Sequence, residues 1–196
     1  MEYYTVFAGV NGAGKSTLYR TYNDMHSDAR VNCDEILREF DGDWKSDADQ
    51  YKSGKIALER IGDYFNRGIS FSQETTLSSR VAIKYAMYAK ELGYCTELHF
   101  VYVESVDIAI ERIRKRVRDG GHGIPDETVA RRYIKSLKNL PEAIKVFNNV
   151  FVYDNTYFAK EIAVFHNGEM LLAVDDIPNW FKEVLDKINN QNDITP

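Results

Sequence analysis

The chain has 196 residues, enough for a sheet covered on both faces, and its 44% hydrophobic and 28% charged content lies close to globular averages. A net charge of −5 argues against a nucleic-acid backbone as the main partner, and two cysteines are too few for a disulfide framework. No apolar run is long enough to span a membrane, and the N-terminus has neither a basic region nor a small-residue cleavage site, so a cytoplasmic location is expected.

Residues 3–8, YYTVFA, are apolar, β-branched and aromatic, which predicts a buried strand. GVNGAGKST follows at 9–17, then a breaker-free stretch, KSTLYRTYN, that reads as a helix. Strand, Gly-rich turn and helix N-terminus in that order form an anion cradle, because loop N–H groups and the helix dipole converge on one spot. The spacing is that of the phosphate loop G-x-x-x-x-G-K-S. Gly9, Asn11, Gly12, Ala13, Gly14, Lys15, Ser16 and Thr17 are therefore candidate nucleoside-triphosphate ligands. Lys15 would bridge the β- and γ-phosphates, and the Ser16 hydroxyl would ligate Mg²⁺.

Next comes a short strand, ARVN, with Asp34 just beyond it. The acidic stretch DGDWKSDADQ (41–50) reads as a solvated loop and helix start. From Ser46 to Arg67 a helix is predicted, with Tyr51, Leu58, Ile61 and Phe65 at helical spacing and Gly68 as its stop. ISFSQET reads as a strand carrying Glu74, and 80–92 as a helix closed by Gly93. CTELHFVYV (95–103) is a strong strand. Ser105 then caps a helix with the stripe Val106, Ile110, Ile113 and Val117, ended by Gly120-Gly121. A further helix is expected from just after Pro125 until Pro141, then the strand VFVY (150–153) with Asn155 beyond it. Asn167-Gly168 between two apolar runs marks a hairpin, and Pro178 opens a last helix carrying Trp180, Phe181, Val184, Leu185 and Ile188.

Strands alternating with helices predict an α/β fold: a mostly parallel five-stranded sheet with helices on both faces, a C-terminal hairpin at one edge and a final helix. Ligands in such sheets sit at the carboxyl ends of the strands, which singles out the phosphate loop, Asp34, Glu74 and Asn155. Asp34 is a candidate general base, with a helix N-cap as the rival reading. Glu74 could hold an acceptor hydroxyl or a magnesium-bound water, or else cap or face solvent. Arg112 and Arg116 share a helix face, and Arg131 and Arg132 follow across a Gly-rich turn. Arg116 and Arg131 are candidate catalytic groups that neutralise a transferring phosphoryl, and Arg112 and Asn155 are candidate nucleotide contacts. The rival reading is a basic helix pairing with Asp107 and Glu111. Gly120, Gly121 and Gly123 suit a closing lid, and His122 is either a substrate contact or a solvated loop residue. His26, His99 and His166 lack ligand spacing, so zinc is not indicated.

The chain lacks the L-S-G-G-Q signature of transporter ATPases, its nearest stretch being LSSR, and lacks an N-K-x-D guanine reader. Small-molecule and nucleotide kinases remain, alongside a nucleotide-dependent binding module that moves little phosphate. GVNGAGKST, VNCDEI, SFSQETTL, RVRDGGHGIP and KNLP, in this order and spacing, resemble the zeta-toxin family of kinases, in particular its short single-domain bacterial branch, over residues 3–156. The resemblance implies a P-loop kinase-like three-layer sandwich in a single domain over 1–196, with a lid at about 112–132. It also implies ATP and Mg²⁺ as cofactors, a small-molecule hydroxyl as phosphate acceptor and an antitoxin protein as partner. Better-known members phosphorylate a UDP-linked amino sugar. They carry an arginine shortly before the Thr-Pro that opens the lid helix, where this chain has His122 before Ile124-Pro125.

Overall fold

The computed structural model describes residues 1–21 and 28–192. The expected helix residues Tyr22 and Asn23, and His26, lie outside them. One sheet organises the described chain. β1 (Tyr3–Ala8) is its inner strand, and side-chain alternation sends Tyr4, Val6 and Ala8 to one face and Phe7 to the other, all buried. Five strands run parallel: β2 (Ala29–Val31), β3 (Phe71–Thr75), β1, β4 (Cys95–Tyr102) and β5 (Asn149–Asp154), in the spatial order 2-3-1-4-5.

The expected hairpin is present as β6 (Lys160–His166) and β7 (Glu169–Ala173), turning at Asn167 and Gly168 with φ of 49° and 85°. Positive φ at both positions is the signature of the hairpin turn that matches strand twist. β6 pairs antiparallel with β5, placing Phe165 opposite Val150 and Ala163 opposite Val152. The sheet is therefore seven strands wide rather than five, because the hairpin completes the open edge of β5 instead of packing apart from it.

Helices α1 (Lys15–Thr21) and α5 (Val106–Arg118) cover one face, where Phe7, Leu18, Val101, Ala109 and Ile113 interlock. Helices α3 (Asp47–Asn66), α4 (Val81–Glu91), α6 (Asp126–Val146) and α7 (Asn179–Asn192) cover the other, with α2 (Cys33–Glu39) leading into α3. At the centre of that second layer, Tyr4, Phe65 and Phe71 meet with ring centroids 5.0–5.6 Å apart. Phe71 and Tyr4 are fully buried.

Two helices differ from expectation. In α3 the buried row is Ser53, Ala57, Ile61 and Phe65, while Tyr51 and Leu58 are 78% and 46% exposed. Small residues at 53 and 57 let the helix approach the sheet, and residues four apart align on that approach. α6 does not stop at Pro141 but continues to Val146. Leu140, Pro141, Ala143, Ile144 and the following Phe147 are all buried against the sheet, and this packing outweighs the one backbone hydrogen bond that proline removes. Among the described residues, no helix is long and apolar enough to cross a membrane.

On the α1 face, His99 stacks between Phe7 and Phe151 at 4.9 and 4.8 Å, with Tyr153 Oη 3.3 Å from Nδ1. Burial lowers its pKa from 6.5 to about 4. The unfolded chain takes up this proton as pH falls below 6.5, whereas the folded chain resists until about 4. The stability contribution is thus complete above 6.5 and is lost towards 4, about 3 kcal/mol in all. His99→Phe should remove that part of the acid sensitivity, seen as a flatter unfolding free energy against pH in urea titrations. Identical pH profiles for the two proteins would show that His99 is not buried neutral.

Candidate functional site

β1 ends at Ala8, and the chain turns through residues 9–14 into α1. Gly9 and Gly12 adopt φ of 138° and 82°. A Cβ on Gly9 would collide with the Val101 carbonyl and one on Gly12 with the Ala109 carbonyl, so glycine is required twice over. Asn155, at the end of β5, donates from Nδ2 to the Ala13 carbonyl at 2.7 Å and so braces the loop from the side. Arg112 in turn donates to the Asn155 and Thr156 carbonyls at 2.8 and 3.0 Å. Arg112 thus supports the loop's own brace.

Lys15 is 7% exposed, and its Nζ donates to the Val10 carbonyl at 3.2 Å. Burial pulls its pKa below the usual value, Glu74 and Asp34 push it back up, and Arg116 and Arg132 add to the depression. Glu74, near the end of β3, receives the Ser16 hydroxyl at 3.0 Å, Arg30 at 2.7 Å and Asn32 Nδ2 at 2.9 Å, and lies 3.9 Å from Lys15 Nζ. Neither a capping nor a surface role describes it. The Ser16 hydroxyl and Glu74 carboxylate are hard oxygen donors, and they suit Mg²⁺, which keeps several waters and takes phosphate oxygens as further ligands.

Asp34 does not cap its helix. Asn32 does, its Oδ1 accepting the Asp34 and Glu35 N–H groups at 2.8 and 3.3 Å. The Asp34 carboxylate is left to line a cleft of about 280 Å³ beside the loop residue Asn11. Arg116 of α5 and His122 of the following turn line this cleft, as do Arg131 and Arg132 of α6. Arg132 Nη1 donates to Asn11 Oδ1 at 2.9 Å, and burial together with Arg131 lowers its pKa. Arg116 Nε donates to the His122 carbonyl at 2.9 Å, while Arg116 Nη2 and His122 Nδ1 are buried without a partner among the described residues. Arg114 pairs with Asp126 at 2.5 Å.

The turn at 121–123, expected as part of a closing lid, is closely packed. A Cβ on Gly123 would come within 2.9 Å of the Trp44 ring, and one on Gly121 within 2.6 Å of Arg116 Cγ. Close approach explains both glycines. Trp44 also stacks on His122 at 6.4 Å and 22°, and Trp44, Asp47 and Gln50 form the cleft's outer wall. The acidic stretch does contain a helix start, α3 beginning at Asp47, but it also supplies a side of the cleft rather than only a solvated face. Arg30, Asn32 and Trp44 went unremarked in the sequence, since each belongs to the site only through residues distant in the chain. A larger cavity of about 680 Å³, among Tyr102, Tyr133 and Trp180, contains no residue of the phosphate loop.

The zeta toxin family profile matches residues 3–171. The chain belongs to the zeta toxin family. An uncharacterized protein of Haemophilus influenzae strain Rd is 32% identical over 127 residues, covering 65% of this chain and 89% of that protein. Among solved structures, the complex of AvrRxo1-ORF1 and -ORF2 with ATP includes a chain similar at TM-score 0.69 and 17% identity, over 95% of this chain. This chain spans 63% of that one. The PezAT chromosomal toxin–antitoxin system of Streptococcus pneumoniae gives TM-score 0.58 at 14% identity, covering 98% and 86% of the two chains. A kinase-described structure from Chloroflexus aurantiacus gives 0.57 at 17%, covering 80% and 89%. At such identities the structures speak for the fold. Zeta toxin membership and these kinase-like neighbours support a phosphate-loop phosphotransferase.

A buried ammonium kept for a ligand should weigh on the ligand-free fold. Lys15→Met removes the desolvated charge while Glu74 keeps Ser16, Arg30 and Asn32, so ligand-free melting should hold or rise, and ATP–Mg²⁺ should no longer raise it. Thermal melting with and without nucleotide reads both effects. A marked drop in ligand-free melting would make Lys15 a structural residue instead.

Proposed function

We propose that the chain is an ATP-dependent small-molecule kinase that transfers the γ-phosphate of ATP to a hydroxyl of an acceptor seated in the 280 Å³ cleft. The observation that carries this reading is Asp34, freed from capping by Asn32, sharing one cleft with Asn11 of the loop and with Arg116, Arg131 and Arg132. A module that only binds nucleotide has no use for a carboxylate there.

In this mechanism the loop N–H groups and Lys15 hold the β- and γ-phosphates, and Asn155 and Arg112 keep the loop in shape. Ser16 and Glu74 would hold Mg²⁺, which supplies charge neutralisation across the β- and γ-phosphates when bound. Asp34 accepts the acceptor's proton as its oxygen attacks in line. Arg116 and Arg131 offset the charge that builds on the phosphoryl oxygens. ATP as donor is supported by the family and by the neighbour solved with ATP. A protein antitoxin is the proposed regulatory partner, supported by the two-component assemblies of AvrRxo1 and PezAT.

Labelled ATP incubated with a panel of hydroxyl acceptors, nucleotide-activated sugars and nucleoside monophosphates included, tests the reading directly. Transfer to none of them, with ATP bound but unconsumed, would favour the binding module. With an acceptor in hand, Asp34→Asn should lower the single-turnover rate by about 10² or more while ATP affinity stays within a few-fold. Loss of ATP binding with an intact single-turnover rate would move Asp34 to the metal. Arg116→Lys keeps the charge but loses the planar fork, and should depress the maximal rate far more than ATP binding. Equal effects on the two would place Arg116 on the ground-state nucleotide.

A further inference from the structure

Arg30 sits in β2, the short edge strand, with its side chain only 18% exposed. Its guanidinium has three partners from three elements. The carbon lies 3.7 Å over the Tyr19 ring of α1, one nitrogen is 2.8 Å from Glu35 of α2, and another is 2.7 Å from Glu74 of β3. Tyr19 is itself held edge-on against Phe7 of β1 at 5.2 Å and 90°. A planar fork is what this geometry requires, since a lysine could reach one carboxylate but not both while lying on the ring.

The group so held has competing partners. Glu74 takes the Ser16 hydroxyl on both oxygens, and one of those oxygens is 3.9 Å from the Lys15 ammonium. In this half-enclosed place, opposite charges attract more strongly than in bulk water. A Glu74 free to close that gap would occupy the lysine the phosphates need and leave the hydroxyl that serves the metal. Arg30 and Asn32 pull on the other oxygen, Oε2, away from Lys15.

We propose that Arg30 is a positioning residue for Glu74: braced by Tyr19 and Glu35, it holds the carboxylate on the Ser16 side of the phosphate loop, where it can serve a divalent cation bound with nucleotide. This rests on the loop being a metal–nucleotide site. Arg30 need not touch substrate, and its influence passes through Glu74.

The test uses the full chain, ADP, and Mn²⁺ as a paramagnetic probe whose free concentration is read by electron paramagnetic resonance. In Arg30→Met, Mn²⁺ affinity of the ADP complex should fall by about tenfold, the scale expected when a residue supporting a metal-side ligand is lost. Binding of ADP in EDTA, measured by calorimetry, should stay nearly unchanged. Arg30→Lys should recover only part of the metal affinity. Any turnover defect should shrink as Mg²⁺ is raised to saturation, which lost stability alone would not produce. If Arg30→Met does not fold, Tyr19→Leu decides, leaving Arg30 in place without its ring support and weakening Mn²⁺ in the same direction by less. Unchanged Mn²⁺ affinity in a folded variant, or an equal loss of ADP binding in EDTA, overturns the assignment. Should the wild-type ADP complex bind no Mn²⁺, the metal–nucleotide reading falls, and the role of Arg30 with it.

Discussion

A single buried ammonium governs how this site is built. Lys15 is nearly enclosed at the mouth of the phosphate loop, where its charge is costly until phosphates arrive. The fold meets that cost with one carbonyl contact and two carboxylates, Glu74 and Asp34, set near enough to favour the charged form. Neither carboxylate collapses onto the lysine. Glu74 is held by Ser16, Asn32 and Arg30, and Asp34 faces the cleft. The ion pair with Glu74 stays long, at 3.9 Å, so the ammonium is supported without a close carboxylate contact.

The rest of the architecture serves that arrangement. Parallel strands deliver β1, β3, β4 and β5 with their carboxyl ends side by side, which brings the loop, Glu74 and Asn155 together. Two close backbone approaches, Gly9 to Val101 and Gly12 to Ala109, press the loop onto β4 and α5. Arg112 and Asn155 then tie the loop's flank to the end of β5. Across the cleft, Arg132 donates to Asn11 from α6, which brings that helix into contact with the loop.

Two packed residues shape the cleft. His122 lies against Trp44, and Gly123 is small because that ring passes over it. The turn at 122–123 is thus packed on the segment leading into α3. Arg116, which meets the His122 carbonyl, keeps one nitrogen free inside the cleft. Trp44 and Arg116 thus line one space, and the Trp44 contact joins residues far apart in the chain.

Local chemistry was enough for much of this. Strand and helix types, the phosphate loop, the Asn167-Gly168 turn and the parallel run of five strands follow from periodicity, glycine placement and strand–helix alternation, all properties of short segments, whereas the spatial order 2-3-1-4-5 belongs to the fold. The family was legible too, because its motifs are short and ordered. What a short segment cannot show is which competing contact wins. Pro141 ends a helix by local rule, yet α6 runs past it because Leu140 and Ile144 are buried there. Asp34 and Asn32 are both plausible caps, and the backbone angle at Asn32 decides that Asn32 caps while Asp34 lines the cleft. Arg30 and Trp44 have no local signature at all. Their roles come from Tyr19, Glu35 and Glu74 around one, and from His122 and Gly123 beside the other. Motifs and periodicity are determined along the chain, whereas burial and charge partnership are set by what the fold brings alongside, and these decided the site.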